Sequence, residues 1–259
     1  MDRCARTSRP QVQSIKGNPD ALERGHLLSN REFHLLPNSP SCFATNADKP
    51  TGFLPFILLA TFLLITLALG WQPLDRTTWV MENLLVAVLL AALLASYRSF
   101  RLSRGATVAL FVFLTLHEIG AHYSYAKVPY DAAWMRLTGR SLDQTLGFER
   151  NQFDRLVHFS YGLLLARPWR EVVVAVTGLR AWRASYLALE FVLASSAAYE
   201  LMEWIGGDYL HGVDIVGAQD DFWDAQKDMA LATLGALLSL TTRRRKQGAA
   251  AGKTGSRVQ

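Results

Sequence analysis

The chain has very little cysteine: only two of its 259 residues, both ahead of the first long apolar segment. Cys4 and Cys42 therefore argue against a disulfide or a cysteine-ligated metal site in the apolar part of the chain. The first fifty residues lack the apolar run and cleavage pattern of a secretory signal peptide. The net charge is +5, but the basic residues do not gather on one amphipathic surface, so we expect no nucleic-acid partner.

Hydrophobic residues make up 50% of the chain and are concentrated in long segments. Five segments approach the roughly 20 apolar residues that a membrane-spanning helix needs, namely 53–71, 79–97, 107–125, 184–204 and 222–240. A sixth, 151–167, is shorter and more polar. A soluble protein would need helices that are apolar on nearly every face, unlike those of small soluble bundles. The sequence therefore predicts an all-α, polytopic integral membrane helical bundle with six transmembrane helices.

The distribution of basic residues predicts the orientation of these spans, because short cytoplasmic loops are enriched in arginine and lysine. The regions after the second, fourth and sixth spans carry many of them: Arg98, Arg101, Arg104, Arg167, Arg170, Arg180, Arg183 and the run 243–246. The opposite loop 206–221 has neither Lys nor Arg, although the long loop 126–150 weakens the contrast with four basic residues. We therefore predict a protein of the cell inner membrane with both termini in the cytoplasm.

Composition divides the chain into three parts. Residues 1–50 are predicted to form a polar, mostly disordered cytoplasmic tail, 51–242 the six-span membrane domain, and 243–259 a basic cytoplasmic tail. The functional core of the membrane domain is predicted in the last four spans, 107–240. The segment 171–179 is too short to cross a bilayer, so we expect a brief interfacial helix or turn on the inner face.

Ionisable residues cluster at the ends of four apolar segments, and the predicted orientation places all four ends at the outer face. The clusters are His117, Glu118 and His122; Asp154, Arg155 and His158; Glu200 and Glu203; and Asp220, Asp221, Asp224, Lys227 and Asp228. An ionisable group in hydrocarbon costs several kcal/mol by most estimates and is rare there without a partner or a function. Four such clusters at one face predict a polar site.

Helical spacing aligns the groups within each cluster, since residues three or four apart share one face of a helix. Carboxylates with imidazoles on neighbouring helices are the ligands of metal sites in helical bundles. We predict metal ligands at Glu118, Glu200, Glu203 and Asp228, with Mg²⁺, Mn²⁺ or Zn²⁺ as the divalent cation. Catalytic roles are predicted for His122, His158 and Asp224, and substrate binding for Arg155 and Lys227.

A purely structural interpretation explains some of the same residues. Asp154 and the acids at 220, 221 and 224 could cap the helices that they begin, because acids stabilise a helix N-terminus. Tyr199 with Glu203, or Lys227 with Asp228 and Glu200, could form closed pairs that lock the bundle. Capping is favoured for Asp154 and Asp220, whereas His158, Glu200, Asp224 and Asp228 lie further into their spans and favour a function.

At these residues the sequence resembles a known group of proteins. The segments HEIGAHYSYAKVPYD, FDRLVHFSYGLLLARPWRE, AYELMEW and DDFWDAQKDMALATLGA match, in order, the motifs of the YjdF-type bacterial inner membrane proteins. The resemblance extends over about 53–240 and leaves both tails outside. It implies an inner membrane location and a helical fold, but no reaction.

The motif at 154–159, Asp-Arg-Leu-Val-His-Phe, is also similar to the Asp-Lys-x-x-His-Phe pattern of VanZ-like proteins, with Arg155 in place of Lys. The stretch 224–235 resembles the VanZ-like ending, although Asp228 replaces an Asn that is common there. VanZ-like proteins are associated with glycopeptide resistance and the cell envelope. We do not carry drug resistance over to this chain.

These observations predict an envelope protein that lies in the lipid bilayer and acts on, or binds, a lipid-linked or anionic headgroup-level substrate. Whether it is an enzyme stays open at this point. A proton- or cation-coupled transporter would use the same acids and histidines, and a non-catalytic partner of another membrane protein would use them only for packing. The nearly apolar inner halves of the last four spans weigh against transport.

Overall fold

The structure is a computed structural model that describes residues 52–209 and 221–254, with side chains described over 52–206 and 221–242. The described residues belong to one compact unit within 45–259. The helices are α1 (Leu54–Gly70), α2 (Arg76–Ser96), α3 (Arg104–His122), α4 (Tyr130–Thr138), α5 (Leu142–Leu146), α6 (Phe153–Thr177), α7 (Ala181–Tyr209) and α8 (Asp224–Thr254). The described ranges contain no strand, as the sequence predicts. The predicted tail 1–50 and Asp220 lie outside the described residues.

Each of the six predicted spans corresponds to a long helix, but not every helix meets the length and hydropathy expected of a span. Among the described helices, α2 and α3 are long and apolar enough to cross a membrane. The pair α6 and α7, which meets at a bend of 117°, brings the number to three if it counts as one span. With 17 residues, α1 is apolar but shorter. The six-span topology therefore stays a prediction.

Side-chain caps fix where α2 and α3 begin. The Asp75 carboxylate accepts a hydrogen bond from the backbone N–H of Thr78 at 2.6 Å, and this bond lowers the pKa of Asp75. Ser103 caps α3 by accepting from the Ala106 N–H at 3.2 Å. Its own N–H and hydroxyl donate to Glu171 at 2.8 and 2.7 Å, which ties the start of α3 to α6.

Helix α6 is the central helix of the bundle and packs against α3, α7 and α8. Its closest approach is to α8, where Gly162 and Gly235 face the opposite backbone. A Cβ at Gly162 would collide with the carbonyl oxygen of Ala232, and a Cβ at Gly235 with that of Phe159. Small residues therefore let the two helices approach closely, as in other membrane bundles.

The prediction of a separate short element at 171–179 is wrong. Helix α6 continues through Pro168 as far as Thr177 and ends at Gly178, which has φ +69°. A proline inside a helix removes one backbone hydrogen bond, but here the flanking turns are held from outside. The Arg167 guanidinium donates to the carbonyl of Ser239 on α8 at 3.0 Å, and Glu171 is bound by Ser103.

The long loop 126–150, for which the sequence indicated no helix, contains α4 and α5. Asp131 organises the turn between them by accepting from the Ser141 hydroxyl at 2.9 Å and the N–H groups of Leu142 and Asp143 at 2.6 and 3.1 Å. The backbone hydrogen bond from Asp143 is the main reason that the pKa of Asp131 is lowered. Tyr130 then joins this loop to α6, since its hydroxyl accepts from the Gln152 N–H at 3.0 Å.

Candidate functional site

Acidic side chains from four helices meet at the end of the bundle that the sequence predicts to face outward. Glu82 lies near the start of α2, Asp154 in the first turn of α6, Glu203 late in α7, and Asp228 in the second turn of α8. All four are buried, with exposed fractions between 1% and 7%. Helices α6 and α8 begin at this end of the bundle, and α7 reaches it with its C-terminal part. Residues far apart in sequence therefore lie together.

The centre of the site is formed by Asp154, His158 and Asp228. Each of them offers one ligand atom, and the three atoms all lie within 4.8 Å of one another. The Nε2 atom of His158 is 3.6 Å from Asp154 Oδ1 and 3.3 Å from Glu200 Oε1. Glu200 Oε1 and Asp228 Oδ1 are buried and have no hydrogen-bond partner within the described part of the chain. We call Asp154, His158, Asp228 and Glu200 the central group.

The central group has the composition of a divalent-cation site. Carboxylate oxygens with an imidazole nitrogen suit Mn²⁺ or Zn²⁺, and the oxygens alone suit Mg²⁺. Buried carboxylates that accept no hydrogen bond need a proton or a cation to compensate their charge. Asp154, His158 and Asp228 could therefore hold one ion between α6 and α8, with Glu200 of α7 beside His158.

Three basic side chains form ion pairs with the acids at the start of α8. Arg150 forms an ion pair with Asp224, and Arg155 forms one with Asp221 while lying 3.5 Å from Asp224. Lys227 also donates to Asp221 at 2.6 Å. The hydrogen bond from Lys227 is the largest cause that lowers the pKa of Asp221, and the bond from Arg155 adds to it, so that this pKa is about 2. Asp221 and Asp224 thus form ion pairs with arginine or lysine, whereas the carboxylates of the central group lie close to His158 and feel the arginines only at longer range.

A second group of polar side chains lies beside His158, and we call it the tyrosine–glutamate network. Glu82 accepts from the hydroxyl of Tyr199 at 2.7 Å, and the hydroxyl of Tyr125 is 3.5 Å from the same carboxyl group. The Tyr125 hydroxyl also bonds to Nδ1 of His117 at 2.7 Å. The rings of Tyr199 and His158 meet edge-on, with centroids 5.6 Å apart. The network therefore buttresses the imidazole of His158.

Four residues of this region were not predicted from the sequence, apart from the pairing of Tyr199 with Glu203: Glu82, Arg150, Tyr125 and Tyr199. A signal for Glu82 was present, since it is the only acidic residue in the predicted span 79–97, and an acid within a span indicates a function or a partner. Arg150 offered no such signal, because a basic residue in a loop is common.

The predicted metal ligands are only partly brought together. Asp228 and Glu200 join the central group, and the buried Glu203 is close enough to Asp154, Glu200 and Asp228 to interact with them electrostatically. Glu118, by contrast, lies among Thr66, Asn83 and Trp79 of α1 and α2.

The histidines predicted to be catalytic are also separated. His158 lies in the central group, whereas Nδ1 of His122 is 2.7 Å from the carbonyl oxygen of Leu69. Glu118 and His122 share one face of α3, as their spacing predicts, but that face packs towards α1 and the α1–α2 turn rather than towards α6. We therefore leave both residues out of the site.

The helix-capping interpretation also fits part of the geometry. Asp154 lies in the first turn of α6 and Asp224 begins α8, where acids interact favourably with the helix dipole. Asp221 accepts from the Trp223 N–H at 3.1 Å just before α8. The closed pairs considered from the sequence are not the ones that form, since Tyr199 bonds to Glu82 and Lys227 to Asp221.

Comparison with known proteins identifies a family whose members resemble this chain. The profile of a family described as "Predicted membrane protein (DUF2238)" matches residues 54–247. The chain is 35% identical to "Inner membrane protein YjdF" of Escherichia coli (strain K12) over 192 residues, which are 72% of this chain and 88% of that relative. This match confirms the resemblance identified from the motifs. No solved structure matches the chain.

Proposed function

Because the chain belongs to the DUF2238 family of predicted membrane proteins, we propose that it binds a divalent cation at a site on the outer face of the inner membrane. The bound cation and its neighbours act on, or bind, the headgroup of an envelope lipid. In this proposal Asp154, His158 and Asp228 are the ligands, and Glu200 is either a fourth ligand or a base next to the ion.

The observation that carries the proposal is the convergence of three buried ligand atoms from α6 and α8 within 4.8 Å. Two of the oxygens around them, on Glu200 and Asp228, have no hydrogen-bond partner in the described ranges. A structural lock would pair these atoms with donors, as Asp221 and Asp224 are paired. Both oxygens of Glu118 are likewise buried without a partner, so the convergence of ligand atoms, and not the lack of donors alone, distinguishes the central group. A cation would instead compensate several carboxylates at once.

The basic side chains near the central group supply the second part of the proposal. Arg155, Arg150 and Lys227 lie next to the central group, and guanidinium groups bind phosphate through paired hydrogen bonds. A bound metal ion supplies Lewis-acid polarisation of a phosphoryl or carbonyl oxygen. Asp224, which both arginines contact, would then position them rather than react itself.

The proposed topology has six spans with both termini in the cytoplasm, as the loop charges predict. The helix starts of α6 and α8 would then lie at the outer headgroup level. The VanZ-like resemblance supports an envelope role only through the motif at 154–159, which contains Asp154 and His158.

A proton- or cation-coupled transporter is the second candidate, because His117, Tyr125, Glu82 and Tyr199 form a connected chain of polar groups inside the bundle. Such chains can relay protons. Below the chain, however, the space between the helices is lined by side chains such as Leu89, Leu165 and Trp169. This lining offers an ion few polar partners, so we favour the site at the outer face.

The proposal is tested by metal binding to the full chain in lipid nanodiscs. Mn²⁺ titration followed by electron paramagnetic resonance is expected to give about one site, and Asp228→Asn and His158→Ala are each expected to weaken its affinity by at least about tenfold, because each removes one ligand. Glu118→Gln is the matched control, since Glu118 is equally buried but faces α1 and α2.

Two results would contradict the proposal. The first is the absence of saturable binding of Mn²⁺, Zn²⁺ or Mg²⁺ to the unmodified protein at millimolar concentration. The second is an equal loss of affinity in Glu118→Gln and Asp228→Asn, which would mean that the central group is not the binding site.

A further inference from the structure

A large cavity adjoins the central group and runs into the bundle. It has a volume of about 500 Å³ and lies between α2, α3, α6 and α7. This volume falls in the range of small-molecule sites, about 300–1,000 Å³. The lining is mainly aliphatic and aromatic, with Leu89, Phe113, Leu165, Trp169, Phe191 and Met202 among its side chains.

His158 and Tyr199 connect the cavity to the proposed cation site. Both side chains line the cavity, and Nε2 of His158 faces Asp154 and Glu200 on its other side. Along α6 the lining extends from His158 to Trp169, which is about 16 Å at the helical rise. One leaflet contributes about 15 Å of hydrocarbon. The cavity therefore has the length of one leaflet and a polar end at the predicted outer face.

The cavity opens sideways, between α2 and α7. Its lining includes Leu85 and Val88 on α2 and Phe191 and Ala198 on α7, all of which are exposed on the surface of the bundle. In a membrane-spanning bundle such a surface faces hydrocarbon rather than water. An apolar chain could thus enter from the bilayer without crossing an aqueous phase.

Two polar atoms in the cavity wall indicate that the occupant has a polar part. The hydroxyl of Ser196 and Nε2 of His117 are buried and make no hydrogen bond to any described residue. Nε2 of His117 lies 3.9 Å from Glu82 Oε2, which is too far for a hydrogen bond. Ser196 is one helical turn from Glu200 on α7, so it lies about 6 Å from the level of the central group. In a glycerophospholipid the ester linkage lies at this distance below the headgroup, in contrast to a prenyl phosphate, which has hydrocarbon there.

We propose that the cavity holds one acyl chain of an outer-leaflet glycerophospholipid, with its ester oxygens at Ser196 and His117 and its phosphate towards the central group. The second acyl chain stays in the bilayer at the opening between α2 and α7. This assignment rests on the proposed function, because the cation and the arginines would receive the phosphate. It names the class of lipid on which that site acts.

The test uses the full chain in nanodiscs with a phosphatidylglycerol that carries a diazirine near the end of one acyl chain. After irradiation, mass spectrometry of peptides is expected to place crosslinks at Leu165 or Trp169, which line the cavity and, unlike Phe191, are not exposed on the surface of the bundle. Ala198→Trp, which narrows the opening, is expected to reduce these crosslinks at least about fivefold. Ala194→Trp is the matched control, because Ala194 is an exposed alanine one turn away that does not line the cavity.

The results separate this inference from the proposed function. Crosslinks that are equal in Ala198→Trp and Ala194→Trp would overturn the cavity assignment, and Mn²⁺ binding would be unaffected by that result. A polyprenyl phosphate that carries the same diazirine provides the comparison. If it labels the cavity and the phospholipid does not, the assignment to a glycerophospholipid is overturned. Ala198→Trp is expected to keep Mn²⁺ binding, so a failure of the cavity assignment is distinguished from a failure of the cation site.

Discussion

At the scale of single residues, Glu82 and Tyr199 show how the bundle holds a carboxyl group in an apolar environment. Glu82 is 3% exposed and, with its neighbour Asn83, is polar in a helix that is otherwise apolar from Trp79 to Ala95. The Tyr199 hydroxyl is 2.9 and 2.7 Å from its two oxygens. Because Glu82 lies on α2 and Tyr199 on α7, this contact joins two helices that also line the cavity.

Tyr199→Phe is therefore expected to destabilise the protein by about 1–3 kcal/mol, the cost of leaving a buried polar group unpaired. The measurement is thermal unfolding of the full chain in nanodiscs. Tyr186→Phe is the control, since Tyr186 lies on the same helix but is 53% exposed, and it should unfold like the unmodified protein. Equal unfolding temperatures for the two variants would contradict a structural role for the Glu82 contact.

The sequence predicted which residues share a helix face, but not which neighbouring helix that face packs against. The spacing of Glu118 and His122 places them correctly on one face of α3, but nothing in the spacing tells which helix that face meets. His122 bonds to Leu69 and Glu118 lies near Trp79, so both face α1 and α2. Asp154 and Asp228 are separated by 74 positions of sequence, and only the packing of α6 on α8 makes them neighbours.

At the scale of elements, the contact between α6 and α8 decides whether the central group can form. The two helices carry Asp154, His158 and Asp228, and they approach closely at Gly162 and Gly235. A side chain at either glycine would meet backbone atoms, which cannot rotate away as a flexible side chain can.

Gly162→Ala is expected to destabilise the bundle by about 1–3 kcal/mol and to lower Mn²⁺ affinity together with stability, because the helices must separate to admit the methyl group. Gly105→Ala serves as the control, since a Cβ at Gly105 meets nothing within 4 Å. Alanine at that helical position should be neutral or slightly stabilising. Unfolding curves in detergent and Mn²⁺ titrations provide the comparison. If Gly162→Ala unfolds and binds Mn²⁺ like the unmodified protein, the close approach of α6 and α8 is not needed for stability or for the cation site.

Helix boundaries were the weakest element-scale predictions, for a physical reason. Pro168 and the polar residues around it favour a break in a single-sequence analysis, yet tertiary bonds from Arg167 to Ser239 and from Ser103 to Glu171 hold α6 together across this region. The loop 126–150 likewise forms helices through the bonds of Asp131 and Tyr130, which depend on the folded turn.

At the scale of the whole molecule, the orientation in the membrane decides what the central group can reach. The loop charges predict that the loop with α4 lies outside and that the bend between α6 and α7 lies in the cytoplasm. Leu137 in α4 and Val176 near the bend are 84% and 79% exposed, so neither side chain is covered by the described part of the protein.

Single cysteines at these positions test the orientation, in a chain whose only two native cysteines, Cys4 and Cys42, are replaced by serine. In intact cells a membrane-impermeant maleimide is expected to label Leu137→Cys, and to label Val176→Cys only after the membrane is permeabilised. The reverse pattern would place the central group at the cytoplasmic face. Labelling of both in intact cells would mean that the bend is not at the inner face.

The sequence by itself determined the class of this protein as a helical membrane protein. Long apolar segments, arginine-rich loops and helical spacing are local properties that can be identified without knowing which helices pack together. The sequence also marked His158, Glu200, Asp224 and Asp228 as worth attention, since ionisable groups in apolar segments are costly wherever they pack. Only the tertiary structure decided which of them meet: the close contact at Gly162 brings Asp228 to His158, while the face of α3 with Glu118 and His122 packs elsewhere. Distances between helices depend on packing of side chains that are remote in sequence, and no local pattern contains that information.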